Sequence, residues 1–265
     1  DNAILIVGGD IASTTVFQLA ARLFGDWQKP SAPLPVVSMP TNSNATGKPR
    51  VVVIDKPDAG QAAVVVARTG LKRSDPDYYR GIVANSVLNG YSGRLNQEIR
   101  IKRGLSYGAR SALDTHRDTG SFTASAQTKN QTGAQVAGLL MGELGRLATS
   151  DLPETELTPR KAVLIGSFAR NLETSQSLVA QVAIRALYGV RLDEINSYIN
   201  NVQSINAADV QRFAGSRLSA KDASIVIVGN AKEFLPELQK QYPNVEVIPV
   251  AELDLNSASL RKAKS

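Results

Sequence analysis

The chain has 265 residues, 43% hydrophobic and 20% charged, with a net charge of +6, one histidine and no cysteine. It is long enough for one large domain or one and a fraction. It has no thiols for disulfides or thiolate zinc sites, and no apolar run of membrane-spanning length. Its basic residues are spread along the chain with Asp and Glu interleaved and no nucleic-acid motif beside them, which argues against a nucleic-acid partner.

Residues 3–7, an unbroken apolar run before Gly8-Gly9-Asp10, read as a buried strand and turn. Apolar spacing at Val16, Leu19, Ala20 and Leu23 predicts an amphipathic helix from Ser13. The pattern returns near the other end, where a strand over 223–228 closes on Ile227-Val228-Gly229 and a helix follows over 231–240. Ile6-Val7-Gly8 and Ile227-Val228-Gly229 suggest two copies of one unit. The reading is of a closing strand and helix of a truncated first half-domain over 1–28, then a linker over 29–49 with five prolines, a complete second half-domain over 50–250 and a loose polar tail over 251–265.

In the second half-domain, 50–55 and 61–68 are β-branched strands. Asp75-Pro76 opens a helix to about Leu88, with Pro at the first helical position. After the turn residues Asn89, Gly90 and Gly93, a basic helical segment runs from Arg94 to Arg103. Gly104 stops it as a left-handed cap, and a strand begins at Leu105-Ser106-Tyr107. The only histidine, His116, falls in a polar turn at 114–120. Strand 121–128 alternates Phe122, Ala124 and Ala126 against Thr123, Ser125 and Gln127. Helix 131–148 carries Val136, Leu139, Leu140, Leu144 and Leu147 on one side. Asp151 and Glu154 resemble a capping pair, and Pro159 predicts a restart with Thr158 as cap and a helix to about Tyr188. Helices at 192–200 and 207–218, the latter capped by Asn206, and a strand at 244–248 complete the pattern. The fold class is α+β: a mixed, mostly antiparallel sheet with helices packed on one face.

The reversal at Gly104 brings together a cation, Arg100, and a phenol, Tyr107. The pair suits holding a carbonyl oxygen or oxyanion, although taken alone it reads more readily as a solvated basic helix with an edge-packed tyrosine. Asp75-Pro76-Asp77-Tyr78-Tyr79, Gly93-Arg94-Leu95-Asn96, Ile99-Arg100 and Gly104-Leu105-Ser106-Tyr107-Gly108 resemble the second half-domain of the pitrilysin/insulinase (inverzincin) metallopeptidases. Gly93 stands for the family's usual Ser, and Ile99 for its usual Leu. The resemblance implies that Arg100 and Tyr107 contact peptide substrate near a zinc ion held elsewhere, Tyr107 at the oxyanion and Arg100 at a neighbouring carbonyl. It also implies a dimer with a zinc-bearing half-domain or subunit carrying His-x-x-Glu-His.

One histidine cannot make that zinc motif, so no cofactor is expected in this chain, and His116 reads as a surface residue. No Ser/His/Asp arrangement can be assembled around it, and Gly8-Gly9-Asp10 lacks the spacing of a dinucleotide loop. The expected function is the substrate-binding half of a zinc endopeptidase, inactive alone. The alternative is a non-catalytic structural subunit on the same fold, like the core proteins of respiratory complexes. The segment 251–262 resembles that of periplasmic members, which sets a periplasmic expectation with the cytoplasm as alternative.

Overall fold

The computed structural model describes residues 3–32 and 48–263. The chain divides into two units, Asp1–Gly47 with Gly166–Ser197, and Lys48–Ile165 with Tyr198–Ser265.

The larger unit is built on a six-stranded sheet: β1 (Val51–Asp55), β2 (Ala62–Thr69), β3 (Ala109–Thr115), β4 (Gly120–Thr128), β5 (Ser224–Gly229) and β6 (Val245–Pro249). The order is β3-β4-β2-β5-β1-β6. The pairs from β3 to β5 are antiparallel, and those of β1 with β5 and β6 are parallel. This is the expected α+β architecture. Alternation sorts the faces: Val64 and Val66 on β2 and Phe122, Ala124 and Ala126 on β4 are buried. They lie on the side against which α4 (Gly133–Thr149) packs, and α2 (Tyr78–Leu88) packs beside β3. The apolar stripe of α4 is Val136, Ala137, Leu140, Leu144 and Leu147, all buried, with Leu139 at its border. In a second layer α8 (Ala207–Arg217), which follows α7 (Glu194–Ser204) in the chain, packs on α2 and α4. The expected Asn206 cap is present as a reciprocal box with Asp209.

The opposite face is covered at one end. Val52 and Ile54 of β1 and Ile248 of β6 form a cluster there, closed by Leu253 and Leu260. The tail expected to be loose is therefore packed as far as it is described. Arg261 donates to the Val247 carbonyl at 2.5 Å, and the Asp254 N–H donates to the Leu260 carbonyl at 3.1 Å. Leu260 takes a left-handed φ of 59°, a cost of about 1 kcal/mol set against its packing, partly buried, on the cluster. Two leucines spaced seven apart in a polar segment gave no periodic signal. Because β1 is covered on both faces, it reads as the unbroken run VVVI.

Several expected boundaries move. The helix foreseen from Asp75-Pro76 begins at Tyr78, because the Asp75 carboxylate accepts the Asp77 N–H at 2.8 Å and makes a turn first. Pro159 does not restart a helix: α5 runs Glu154–Arg170 through it. Leu152 and Leu157 are buried and anchor its first turn, and the Thr158 hydroxyl bonds Glu154 instead of capping. Asp151 lies ahead of the cap position, since α5 begins at Glu154 and Pro153 directly precedes it, and the Asp151 carbonyl accepts from Arg94. The long helix to Tyr188 breaks at 171–174, and α6 (Ser175–Leu187) restarts where the Thr174 side chain accepts the Ser177 N–H at 3.1 Å.

The smaller unit holds α1 (Ser13–Phe24), α6 and the segment 3–11. Residues 166–197, expected inside a domain over 50–250, belong here. A Cβ on Gly8 would come within 2.7 Å of the Val179 side chain, so the segment 3–11 lies against α6. The strand expected at 3–7 makes no ladder: among the described residues no partner strand lies beside it. Most of the expected linker, 33–47, lies outside the described residues.

Candidate functional site

The predicted reversal is present, with its boundaries sharpened. Residues Arg94–Asn96 form α3, one α-helical turn that runs into a π-helical turn at Gln97–Ile101. The Lys102 N–H donates to the Gln97 carbonyl, five residues back, at 2.9 Å. Such turns are common at functional sites because the wider pitch re-aims side chains. Leu95 and Ile99 are fully buried and fix the segment to the core. Gly104 takes a φ of 63°, and its N–H donates to the Arg100 carbonyl at 2.9 Å, which is the left-handed helix cap expected from sequence.

Tyr107 is not in the strand. Ser106 turns the chain locally: its hydroxyl donates to the Gly108 carbonyl at 2.7 Å and accepts the Gly108 N–H at 3.1 Å. Pairing begins only at Ala109. Tyr107 therefore stands on a short loop, 91% exposed. Leu105 steadies that loop, its carbonyl accepting from the Thr128 hydroxyl at 2.6 Å.

Arg100 sits with its guanidinium carbon 5.4 Å from the centre of the Tyr91 ring, a cation–π arrangement. No hydrogen bond joins Arg100 to Tyr107 among the described residues. Beside Tyr107 a groove of about 410 Å³ lies on the uncovered part of the sheet. Ala63 and Val65 of β2 and Ser125 and Gln127 of β4 line it, together with Tyr107 and Arg110. Small side chains leave the groove open, and Arg110 is the one charged group lining it. Arg100 is outside that lining.

The neighbouring cations are mostly neutralised. Arg94 makes a two-pronged pair with Glu156 at 2.7 and 2.8 Å, which raises the guanidinium pKa further. Lys102 and Arg103 both bind Glu98, at 3.0 and 2.5 Å. Burial pushes the Glu98 carboxyl up, but the two cations outweigh it and hold it below the usual carboxylate range. Glu143, buried in α4 beside the same group, is pushed up by burial, with Arg146 opposing. The partners of Arg94, Lys102 and Arg103 thus lie on facing elements or on the same turn.

The described residues do not fit a zinc ion. No group of three or more His, Asp or Glu among them is arranged to hold a metal. His116 lies exposed in the β3–β4 turn, its N–H bonded to the Thr119 carbonyl at 2.9 Å. No described helix is long and apolar enough to cross a membrane. Sequence reasoning gave no role to Tyr91, Asn96 or Ser106. The one available signal was Asn96, a polar residue beside the buried Leu95.

An uncharacterized zinc protease of Mycobacterium tuberculosis is 25% identical over 205 residues, 77% of this chain and 47% of the relative. The chain thus spans about half the length of that curated relative. Among solved structures, a peptidase M16 inactive domain from Pseudomonas fluorescens superposes with a TM-score of 0.72 at 24% identity, over 83% of this chain and 52% of that one. A chain of complex III2 from Candida albicans superposes with a TM-score of 0.62 at 18% identity, over 74% and 49%. Both likenesses are of fold. The model of the family described as "Peptidase M16 inactive domain" matches residues 1–164, and this chain belongs to that family.

Proposed function

We propose that this chain is the substrate-binding half of a zinc-dependent endopeptidase, working with a zinc-bearing half-domain or subunit. The observation that carries the reading is Tyr107: an almost fully exposed phenol with no partner among the described residues, beside an open groove of small side chains. A tyrosine kept for packing would be buried. A hydroxyl aimed at a ligand has to be reachable.

In this reading an extended peptide lies in the groove over Ala63, Val65 and Ser125. Tyr107 donates to the carbonyl oxygen as negative charge develops on it, which stabilises the transition state more than the ground state. Arg100, steadied on Tyr91, holds a neighbouring peptide carbonyl. Zinc, when held by the other half, would supply an activated water. The second reading is a structural subunit without catalysis. It is favoured by the shared fold with a chain of complex III2, but it gives the exposed Tyr107 no task.

The test is Tyr107→Phe, assayed with the zinc-bearing half. We expect kcat to fall about a hundredfold or more with the melting temperature unchanged, because the hydroxyl makes no internal bond. Lys102→Ala is the control: its side chain is 60% exposed, and it makes only an i,i+4 ion pair worth a few tenths of a kcal/mol. Full activity of Tyr107→Phe would refute the assignment and leave the structural subunit standing.

A further inference from the structure

We infer that Asn96 is a positioning residue, one buried amide that sets both arms of the site. Asn96 is 3% exposed and stands where α3 passes into the π-helical turn. Its Nδ2 donates to the Tyr91 carbonyl at 2.6 Å. Its Oδ1 accepts the N–H of Ala109, the first residue of β3, at 3.4 Å. Tyr91 is the ring under Arg100, and Ala109 is two residues beyond Tyr107. A single side chain therefore ties the platform of one arm to the root of the other.

The chemistry demands an amide. The Tyr91 carbonyl needs a donor and the Ala109 N–H needs an acceptor, and only Asn at this length supplies both from one group. The Tyr91 loop is also fixed by Arg160, which donates to the Ser92 carbonyl. Arg160 does not reach β3, so it cannot link the two arms. Asn89 is the natural comparison. Its Oδ1 accepts the Ser111 N–H at 3.3 Å, another bond to the outer edge of β3, but it makes none to the Tyr91 carbonyl. With the N–H groups of residues 109 and 111 both taken by side chains, this stretch of edge is closed to an added strand.

The functional part of this inference rests on the reading of Arg100 and Tyr107 as substrate contacts; the positioning itself does not, and it is tested first on the chain alone. A guanidinium over an aromatic face carries an upfield ring-current shift on its side-chain protons, readable by NMR. Tyr91→Leu should abolish that shift for Arg100 and sets the reference. Asn96→Asp loses the donor and keeps the acceptor: we expect the Arg100 shift to collapse toward the Tyr91→Leu value while the Ala109 amide stays protected from exchange. Asn96→Ala should lose both. Asn89→Asp should change neither Arg100 nor Tyr91. Should Asn96→Asp fail to fold, Asn96→Ser, uncharged and too short to span both partners, replaces it with the same readout.

An unmoved Arg100 shift in a folded Asn96→Asp or Asn96→Ser variant overturns the inference, as does a wild-type chain whose Arg100 shift equals that of Tyr91→Leu. With the zinc-bearing half present, Asn96→Asp should lower kcat/KM about tenfold or more through misplacement of the Arg100 contact, with KM rising as Arg100 loses its seat. Loss of the NMR signature with unchanged kcat/KM would refute the functional part alone. Retained activity in Tyr107→Phe would instead refute the proposed function and leave the positioning result intact.

Discussion

At the scale of single residues, charge alone does not sort the cations of the 94–110 stretch, but burial and partners do. Arg94 has a side chain only 12% exposed, fixed by Glu156 and by the Asp151 carbonyl. Both partners lie about sixty residues away, so no local pattern reports them. Arg94 is a clamp between α3 and the start of α5. Arg94→Ala leaves Glu156 without its cation, at a cost of about 1.5–3 kcal/mol for lost charge-assisted bonds. Thermal unfolding should show a fall of about 3–12 °C. A melting temperature within a degree of wild type would mean that the pair contributes nothing. By contrast Tyr107, singled out with Arg100 by motif spacing, is exposed, and Arg100 lies over the Tyr91 ring. The reversal between them was legible because a glycine between a basic run and an alternating run marks a cap, but their roles come from the family resemblance alone, and the bonds of Asn96 run to residues outside its own turn.

At the scale of elements, local signals did well where they were one-sided and failed where packing competed. The alternation of β4 and the Asn206 box matched because nothing opposes them. Pro159 is a strong local signal against a helix, yet two buried leucines hold the turn around it. The run at 3–7 is a strong strand signal, yet a strand needs an edge to pair with, and none is described beside it. The reversal itself depends on one backbone conformation. Gly104 has open space around a would-be Cβ but a φ of 63°, so Gly104→Ala pays only the conformational cost of the left-handed region, about 1 kcal/mol. Circular dichroism should therefore record a small drop of about 2–4 °C. The loop bearing Tyr107 would shift with the cap, so activity with the zinc-bearing half should fall by tenfold or more. Equal, small effects on both would show that the cap serves stability alone.

At the scale of the whole molecule, the two units differ in how well they bury themselves. The larger has a sheet, two helical layers and a packed tail. In the smaller, Arg185 is buried, with its guanidinium 3.0 Å from Glu194, but α1 has no buried residue at all. Phe17 is 73% exposed, and Ile4, Leu5, Val7 and Leu23 are exposed with it. Twelve residues make a marginal helix in water without tertiary support, and so wide an apolar surface is uncommon on a free monomer. Curated relatives about twice as long match this chain over half their length, and the proposed function calls for a zinc-bearing half. On the proposed function, the exposed face of α1 is expected to be the surface that half docks on. Hydrogen exchange gives the test. In the chain alone, α1 amides should exchange at least a hundredfold faster than those of α4, since local opening exposes nothing that was buried. Adding the zinc-bearing half should slow α1 about tenfold or more, and Phe17→Asp should weaken that effect without changing the melting of the larger unit. If α1 is already as protected as α4 in the monomer, or stays fast in the complex, its apolar face is not the docking surface.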